Sequence, residues 1–68
     1  MIDPNAEDVG KTVYYTGNYN GPIEPGIITS ITEKYVFVRY ENQHPTAPGK
    51  ATNRSDLVWN LSEVKNDH

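Results

Sequence analysis

Residues 26–40 read GIITSITEKYVFVRY, two runs rich in β-branched and aromatic residues that are joined by the polar segment TEK. Such residues favour β-strands, and a short polar connection between two strands is typical of a hairpin. The predicted strands cover residues 26–31 and 35–40. Because the chain has 68 residues and no cysteine, its core must come from packing alone, and this hairpin needs further strands around it. The sequence therefore predicts one small all-β domain.

The second strand of the hairpin has two unequal faces. Successive side chains of a strand point to opposite sides, so residues 35–40 divide into two sets of three. The first set is Val36, Val38 and Tyr40, and the second is Tyr35, Phe37 and Arg39. A buried arginine is costly, so we expect the first set in the core and the second set on an open or partly covered face.

Three further strands are predicted around the hairpin. They are residues 11–15 (KTVYY), 50–53 (KATN) and 58–61 (VWNL). The segment RSDL at residues 54–57 carries serine and aspartate, which cap and turn the backbone, so one turn of tight helix is predicted before the last strand. These elements match the order of a five-stranded SH3-like barrel over residues 10–60, with a polar lead-in at residues 1–9 and a polar tail at residues 61–68.

Two long loops separate the predicted strands. They read TGNYNGPIEP at residues 16–25 and ENQHPTAPGK at residues 41–50, and both are rich in glycine, proline and asparagine. These residues favour turns and irregular backbone. Long loops in a domain this small are where contact residues are expected.

The composition excludes several classes of function. The net charge is -3, and between residues 10 and 60 five basic residues stand against four acidic ones, so neither a strongly basic surface nor a dense anionic mimic is indicated. The absence of cysteine excludes a cysteine-based zinc site. The first residues lack the basic start and apolar run of a signal peptide, and no stretch of about 18 apolar residues occurs, so we expect a cytoplasmic protein without a membrane span.

The sequence contains no convincing catalytic constellation or cofactor motif. Neither His44 nor His68 has a partner at metal-ligand spacing, so no metal site is predicted. Ser55, His44 and Asp56 could be combined into a triad, but a triad needs a rigidly held base in a water-shielded cleft, for which a small filled barrel has no room. The loop TGNYNGP lacks the lysine of a phosphate-binding loop. We expect a non-enzymatic protein without a cofactor.

Several segments resemble small uncharacterised proteins encoded by tailed bacteriophages. The resemblance includes the hairpin at residues 26–40, KAT at residues 50–52 and SDL at residues 55–57. It implies a barrel of the KOW or Tudor type. Such barrels bind nucleic acid, ribosomal partners or methylated side chains, so the resemblance implies a binding module and assigns no functional residue.

Aromatic side chains beside the first long loop are the first candidate contact surface. Tyr19 is flanked by two asparagines within that loop, where burial is hard, and Tyr14 and Tyr15 stand at its base. Exposed aromatic residues of this kind resemble the ledge on which SH3-like barrels bind extended peptides. Tyr35 and Phe37, on the open face of the third strand, complete the predicted partner-binding set.

The second candidate surface is basic and consists of Arg39, Lys50 and Arg54. If the third and fourth strands pair, Arg39 and Lys50 could lie near one another, and with neighbouring aromatic rings they would suit a phosphate backbone with stacked bases. The alternative is ordinary solvated charge. The near-neutral body of the chain favours that alternative.

The sequence favours a non-enzymatic phage accessory protein that contacts a protein partner, with a factor of the bacterial host as a candidate. One alternative is a KOW-type nucleic-acid-binding module. Another is a self-associating structural protein, since the edge strands of small sheets often pair with further strands. The sequence names none of these partners, and the oligomeric state stays open.

Overall fold

The computed structural model describes residues 2–17 and 23–61 and shows an antiparallel sheet of five strands. The strands are β1 (Thr12–Tyr15), β2 (Glu24–Ile31), β3 (Val36–Tyr40), β4 (Lys50–Thr52) and β5 (Leu57–Val58). Two 3-10 turns, η1 (Ala6–Asp8) and η2 (Arg54–Asp56), precede β1 and β5. The strand order is β4-β3-β2-β1-β5, and the predicted small SH3-like barrel with a 3-10 turn before its last strand is confirmed.

Strand β2 connects the two halves of the sheet. Its residues 24–27 pair with β1, and its residues 26–31 pair with β3. A register shift between Ile28 and Ser30 introduces an irregularity of the β-bulge kind, which bends a strand and increases its twist. Gly26 lies where the two pairings overlap, and a Cβ there would be 2.5 Å from Val38 Cγ1. Only glycine allows so close an approach of β2 to the core side chains of β3.

The start of β2 differs from the sequence prediction. The strand begins at Glu24, whereas the prediction started it at Gly26 because proline usually interrupts a strand. Pro25 is accommodated since it lacks only a donor: its carbonyl accepts a hydrogen bond from the Glu41 N–H at 3.1 Å, and Tyr14 pairs opposite it. The first long loop is therefore shorter than predicted.

The last strand also differs from the prediction. β5 begins at Leu57 and ends at Val58, whereas residues 58–61 were expected. Leu57 is fully buried and pairs with Tyr15, so burial of this leucine places it in the sheet immediately after η2. Short edge strands of this kind leave little backbone open to unwanted pairing.

The core lies on one face of the curved sheet. Val36 and Val38 are fully buried and Tyr40 is 7% exposed, so the predicted core face of β3 is confirmed. The remaining core side chains come from β1, β2, β5 and the N-terminal segment, and they are Val13, Ile28, Leu57 and Ile2. Burial of one such aliphatic side chain contributes about 1.5–3 kcal/mol, so a core this small depends on every member.

The N-terminal segment packs against the barrel. Ile2 is 2% exposed, and its N–H donates to the Arg54 carbonyl at 3.3 Å. Asn5 and Asp8 cap η1 reciprocally, and Gly10, with a φ of 98°, turns the chain towards β1. The polar sequence of this segment does not predict its contribution to the core, because a single isoleucine has no periodic pattern around it.

Candidate binding groove

A depression of about 450 Å³ follows the edge strand β4 and is open to solvent; we call it the edge cleft. Its lining consists of Tyr15, Glu24, Tyr40, Asn42, residues 50–53 and Asp56. All three residues of β4 contribute to this wall. Within residues 2–17 and 23–61, β4 pairs with β3 alone, so the outer edge of its backbone has no strand partner there.

The edge cleft continues into two further depressions of about 280 Å³ each. The first shares Glu24, Tyr40 and Asn42 with the edge cleft. The second shares Pro25, Tyr40 and Glu41 with the first, and it extends to the loop between β3 and β4. The three depressions adjoin one another through these shared residues and pass from one face of the sheet to the other around Tyr40; we call them together the groove.

Two tyrosine rings form the aromatic part of the groove wall. The ring centroids of Tyr15 and Tyr40 are 5.9 Å apart, and their planes meet at 71°, an edge-to-face contact that holds both rings in place. The pairing of β1 with β2 sets Glu24 opposite Tyr15. The pairing of β2 with β3 sets Gly26 opposite Tyr40, and the missing side chain leaves space for the ring.

A short chain of hydrogen bonds fixes the tyrosine at the centre of the groove. The Thr52 hydroxyl donates to the Lys50 carbonyl at 3.1 Å, which uses its single proton. The Tyr40 hydroxyl, 2.9 Å from Thr52 Oγ1, is then the donor of the second bond. Burial raises the pKa of the Tyr40 phenol above its ordinary value, and the carboxylates of Glu24 and Asp56 add to the rise. The phenol therefore remains a neutral donor at physiological pH.

The edge cleft contains charged groups that the rest of the described structure leaves unpaired. Glu24 and Asp56 are half-buried, and neither carboxylate makes a hydrogen bond or ion pair with residues 2–17 or 23–61. The Lys50 ammonium is exposed and likewise has no ion pair in that part of the chain. Half-buried carboxylates are less screened by solvent than fully exposed ones, so they remain available to a charged ligand.

The described part of the chain also limits what other sites are present. No helix in it is long and apolar enough to cross a membrane. Residues 2–17 and 23–61 contain no group of three or more histidine, aspartate or glutamate side chains that could hold a metal ion. The groove offers hydrogen-bonding groups, charge and aromatic surface in an open concavity, which is an arrangement for recognition.

The structure separates the aromatic residues that the sequence predicted to bind a partner. Tyr15 lines the edge cleft. Tyr14 and Phe37 are half-buried on the opposite face of the sheet, and Tyr35 lies half-buried just before β3. Tyr19 lies outside the described residues. Of the predicted set, Tyr15 is the member that the structure places in the groove.

The face that carries Tyr14 and Phe37 is a second apolar surface. Tyr14 pairs with Pro25 on one side and with Val58 on the other. Phe37 pairs with Ala51 across the β3–β4 ladder. These cross-strand neighbours cover part of each ring, which accounts for their intermediate exposure without a ligand.

The three predicted phosphate-contacting residues occupy different environments. Val38 pairs with Lys50, and Arg39 follows Val38, so the alternation of β3 directs Arg39 to the face opposite the edge cleft. Lys50 lines the edge cleft. Arg54 donates to the carbonyls of Thr32 and Glu33, at 2.7 and 2.9 Å. The structure does not bring these three cations together into one basic cluster.

Sequence reasoning missed most of the groove. The sequence places Glu24 within the first long loop, Tyr40 in the core and Asp56 in the turn before the last strand. Each interpretation is locally sound, because nothing within a few residues of these positions signals a cleft. The groove exists only once β1, β2, β3, β4 and η2 are packed together.

A domain family of unknown function, DUF7205, matches residues 8–63, and the chain belongs to this family. None of the curated proteins and none of the solved structures matches the chain. The matched range includes all five strands, η2 and every residue that lines the groove. The match therefore covers every residue that lines the groove of this chain, and the description of the family assigns no activity.

Proposed function

We propose that this DUF7205 protein is a non-enzymatic binding module that takes an extended segment of a protein partner into the groove. The observation that carries the proposal is that the edge cleft runs along β4, whose outer edge has no strand partner in the described residues, and that the cleft shares lining residues with a neighbouring depression. An exposed strand edge can add a peptide backbone through main-chain hydrogen bonds, while neighbouring concavities accept alternate side chains.

The composition of the groove supports a protein ligand over a nucleic acid. Its lining includes three carboxylates, those of Glu24, Glu41 and Asp56, and these repel a phosphate backbone. Lys50 and Arg39 are the basic residues of the lining, and the strand alternation places them on different faces. The resemblance to phage proteins, a partner from a bacterial host and a cytoplasmic location stay predictions.

Selection from a random peptide display library on the immobilised full chain tests the proposal. The discriminating variant is Asn42→Trp, because Asn42 is exposed, lines two of the three depressions and makes no hydrogen bond through its side chain in the described part. We expect selected peptides to bind this variant about tenfold or more weakly, since the indole fills the groove.

The matched control is Pro48→Trp, which adds the same ring to an exposed position of the same loop outside the groove lining. It should bind the selected peptides like the unmodified chain. Peptides that tolerate Asn42→Trp, or a library that yields none that bind, would reject the groove as the contact surface. Tight binding of random DNA or RNA that weakens steeply with salt would favour the KOW-type alternative, and a mass that rises with concentration in sedimentation would favour self-association.

A further inference from the structure

We infer that the edge cleft receives the protonated side chain of a lysine or arginine from the bound segment, with Glu24 and Asp56 as its counter-charges. This inference rests on the proposed function and names the chemistry of the partner at one position. It concerns the 450 Å³ depression at one end of the groove, where a single long side chain has room to enter.

The two carboxylates reach this cleft from different elements. Glu24 opens β2 opposite Tyr15, and Asp56 ends η2 directly before β5. Both residues line the same depression, beside the rings of Tyr15 and Tyr40. A cation between them would meet two opposite charges at partly buried positions, where attraction is stronger than at an exposed surface.

The uncharged part of the cleft suits the rest of such a side chain. The aliphatic stem of a lysine or arginine packs well on aromatic surface, which Tyr15 supplies. The side-chain amides of Asn42 and Asn53 contribute carbonyl oxygens that can accept from an ammonium or guanidinium group. An anionic or purely apolar side chain would leave both carboxylates desolvated and unpaired.

The ammonium of Lys50 would repel a cation in the edge cleft, so a substitution of this residue tests the inference. Lys50 also lines the cleft, but it is exposed and its long side chain can turn towards solvent. Its ammonium repels an incoming cation, so Lys50→Met is expected to strengthen cation binding about two- to threefold. If Lys50 instead contacted a phosphate or a carboxylate of the partner, the same substitution would weaken binding.

A pair of small probes tests the charge directly. N-acetylarginine methylamide and N-acetylcitrulline methylamide have nearly the same shape, and only the first is a cation. We expect the arginine compound to shift the amide resonances of Tyr15, Asn42 and Asn53 in a titration of the full chain, with the citrulline compound binding about fivefold or more weakly. The preference should decrease as salt is added.

The carboxylate variants localise that preference. Glu24→Gln combined with Asp56→Asn should weaken arginine binding about tenfold and leave citrulline binding unchanged. Glu33→Gln, at an exposed acid in the β2–β3 turn and outside the groove lining, should keep the full preference. Asp56→Asn alone, with its melting temperature measured, separates a loss of binding from a loss of fold.

The results distinguish this inference from the proposed function. If the two compounds shift the amide resonances equally, or if neither shifts them, the cation site is rejected. The peptide selection then decides separately whether the groove binds a peptide. The selected peptides could bind Asn42→Trp weakly and yet contain no basic residue, or bind the carboxylate variants as tightly as the unmodified chain. Either result would reject the cation site and leave the groove as the contact surface. If the selected peptides tolerate Asn42→Trp while the arginine compound still prefers the cleft, the extended segment is wrong and the cation site stands.

Discussion

The two ends of β3 differ in how their polar groups are used. Before its first residue, the β2–β3 turn is closed by its own hydrogen bonds: Thr32 Oγ1 accepts from the Tyr35 N–H at 2.9 Å, and the Thr32 N–H donates to the Tyr35 carbonyl, also at 2.9 Å. The Arg54 guanidinium then binds two carbonyls of the same turn. At the far end, beyond Tyr40, the strand opens into the groove, where Glu24 and Asp56 have no partner in the described part of the chain.

The difference separates an end whose polar groups stabilise the fold from an end whose polar groups stay open to a ligand. A satisfied turn has little to offer a ligand, because a new bond would first have to replace an existing one. Groups left unpaired in an open concavity can gain an interaction without losing one. η2 serves both ends, since Arg54 at its start closes the turn and Asp56 at its end lines the cleft.

The largest expected effect concerns the core that both ends share. Val38 is fully buried in the middle of β3, and Val38→Ala should cost about 2–4 kcal/mol, which would unfold the domain or nearly so, because a domain this size has roughly 3–5 kcal/mol to lose. Urea denaturation followed by circular dichroism measures the loss. Val9→Ala makes the same change at a residue that is 47% exposed and should leave the midpoint almost unchanged. Similar midpoints for the two variants would contradict the assigned core face.

The next prediction concerns the β2–β3 turn, at the end of β3 where the polar groups are satisfied. Arg54→Met removes the two bonds to the turn carbonyls and should destabilise the fold by about 1 kcal/mol, seen as a lower melting temperature. Arg39→Met is the matched change, at an arginine with no hydrogen bond or ion pair from its side chain within residues 2–17 and 23–61, and it should have little effect. Equal melting temperatures would show that the two hydrogen bonds of Arg54 contribute nothing to stability.

An effect of similar size concerns the tyrosine at the end of β3 that opens into the groove. Tyr40→Phe removes the bond to Thr52 and should cost about 1 kcal/mol at neutral pH. The raised pKa of the phenol means that the folded state holds the proton more tightly than the unfolded state does. The contribution of this phenol to the free energy of unfolding is therefore complete below the ordinary tyrosine pKa of about 10. It is lost as pH rises through the higher pKa of the folded state.

The measurement for Tyr40 is the unfolding free energy of both chains as a function of pH. The advantage of the unmodified chain over Tyr40→Phe should shrink above about pH 10. A difference that stays constant across that range would show that the phenol titrates alike in the two states, contrary to its burial.

Some of this molecule was predictable because the relevant physics is local. The alternation in residues 36–40 identified Val36, Val38 and Tyr40 as core residues, and the structure confirms them. The start of β2 was predicted too late because of Pro25. A strand tolerates a proline where no neighbouring residue needs its missing N–H, and the pairing within the sheet decides where that is so. The groove was not predictable, because its walls come from segments far apart in the chain.

The sequence by itself determined an all-β domain with a hairpin at its centre, the buried face of β3 and a helical turn before the last strand. Side-chain alternation, β-propensity and turn residues act over a few positions, so they can be interpreted without knowing what packs where. The tertiary structure alone decided that Tyr15, Glu24, Tyr40 and Asp56 share one concavity, and that Arg54 closes a turn instead of joining Lys50. Strand order and register set those distances, and both are properties of the whole sheet.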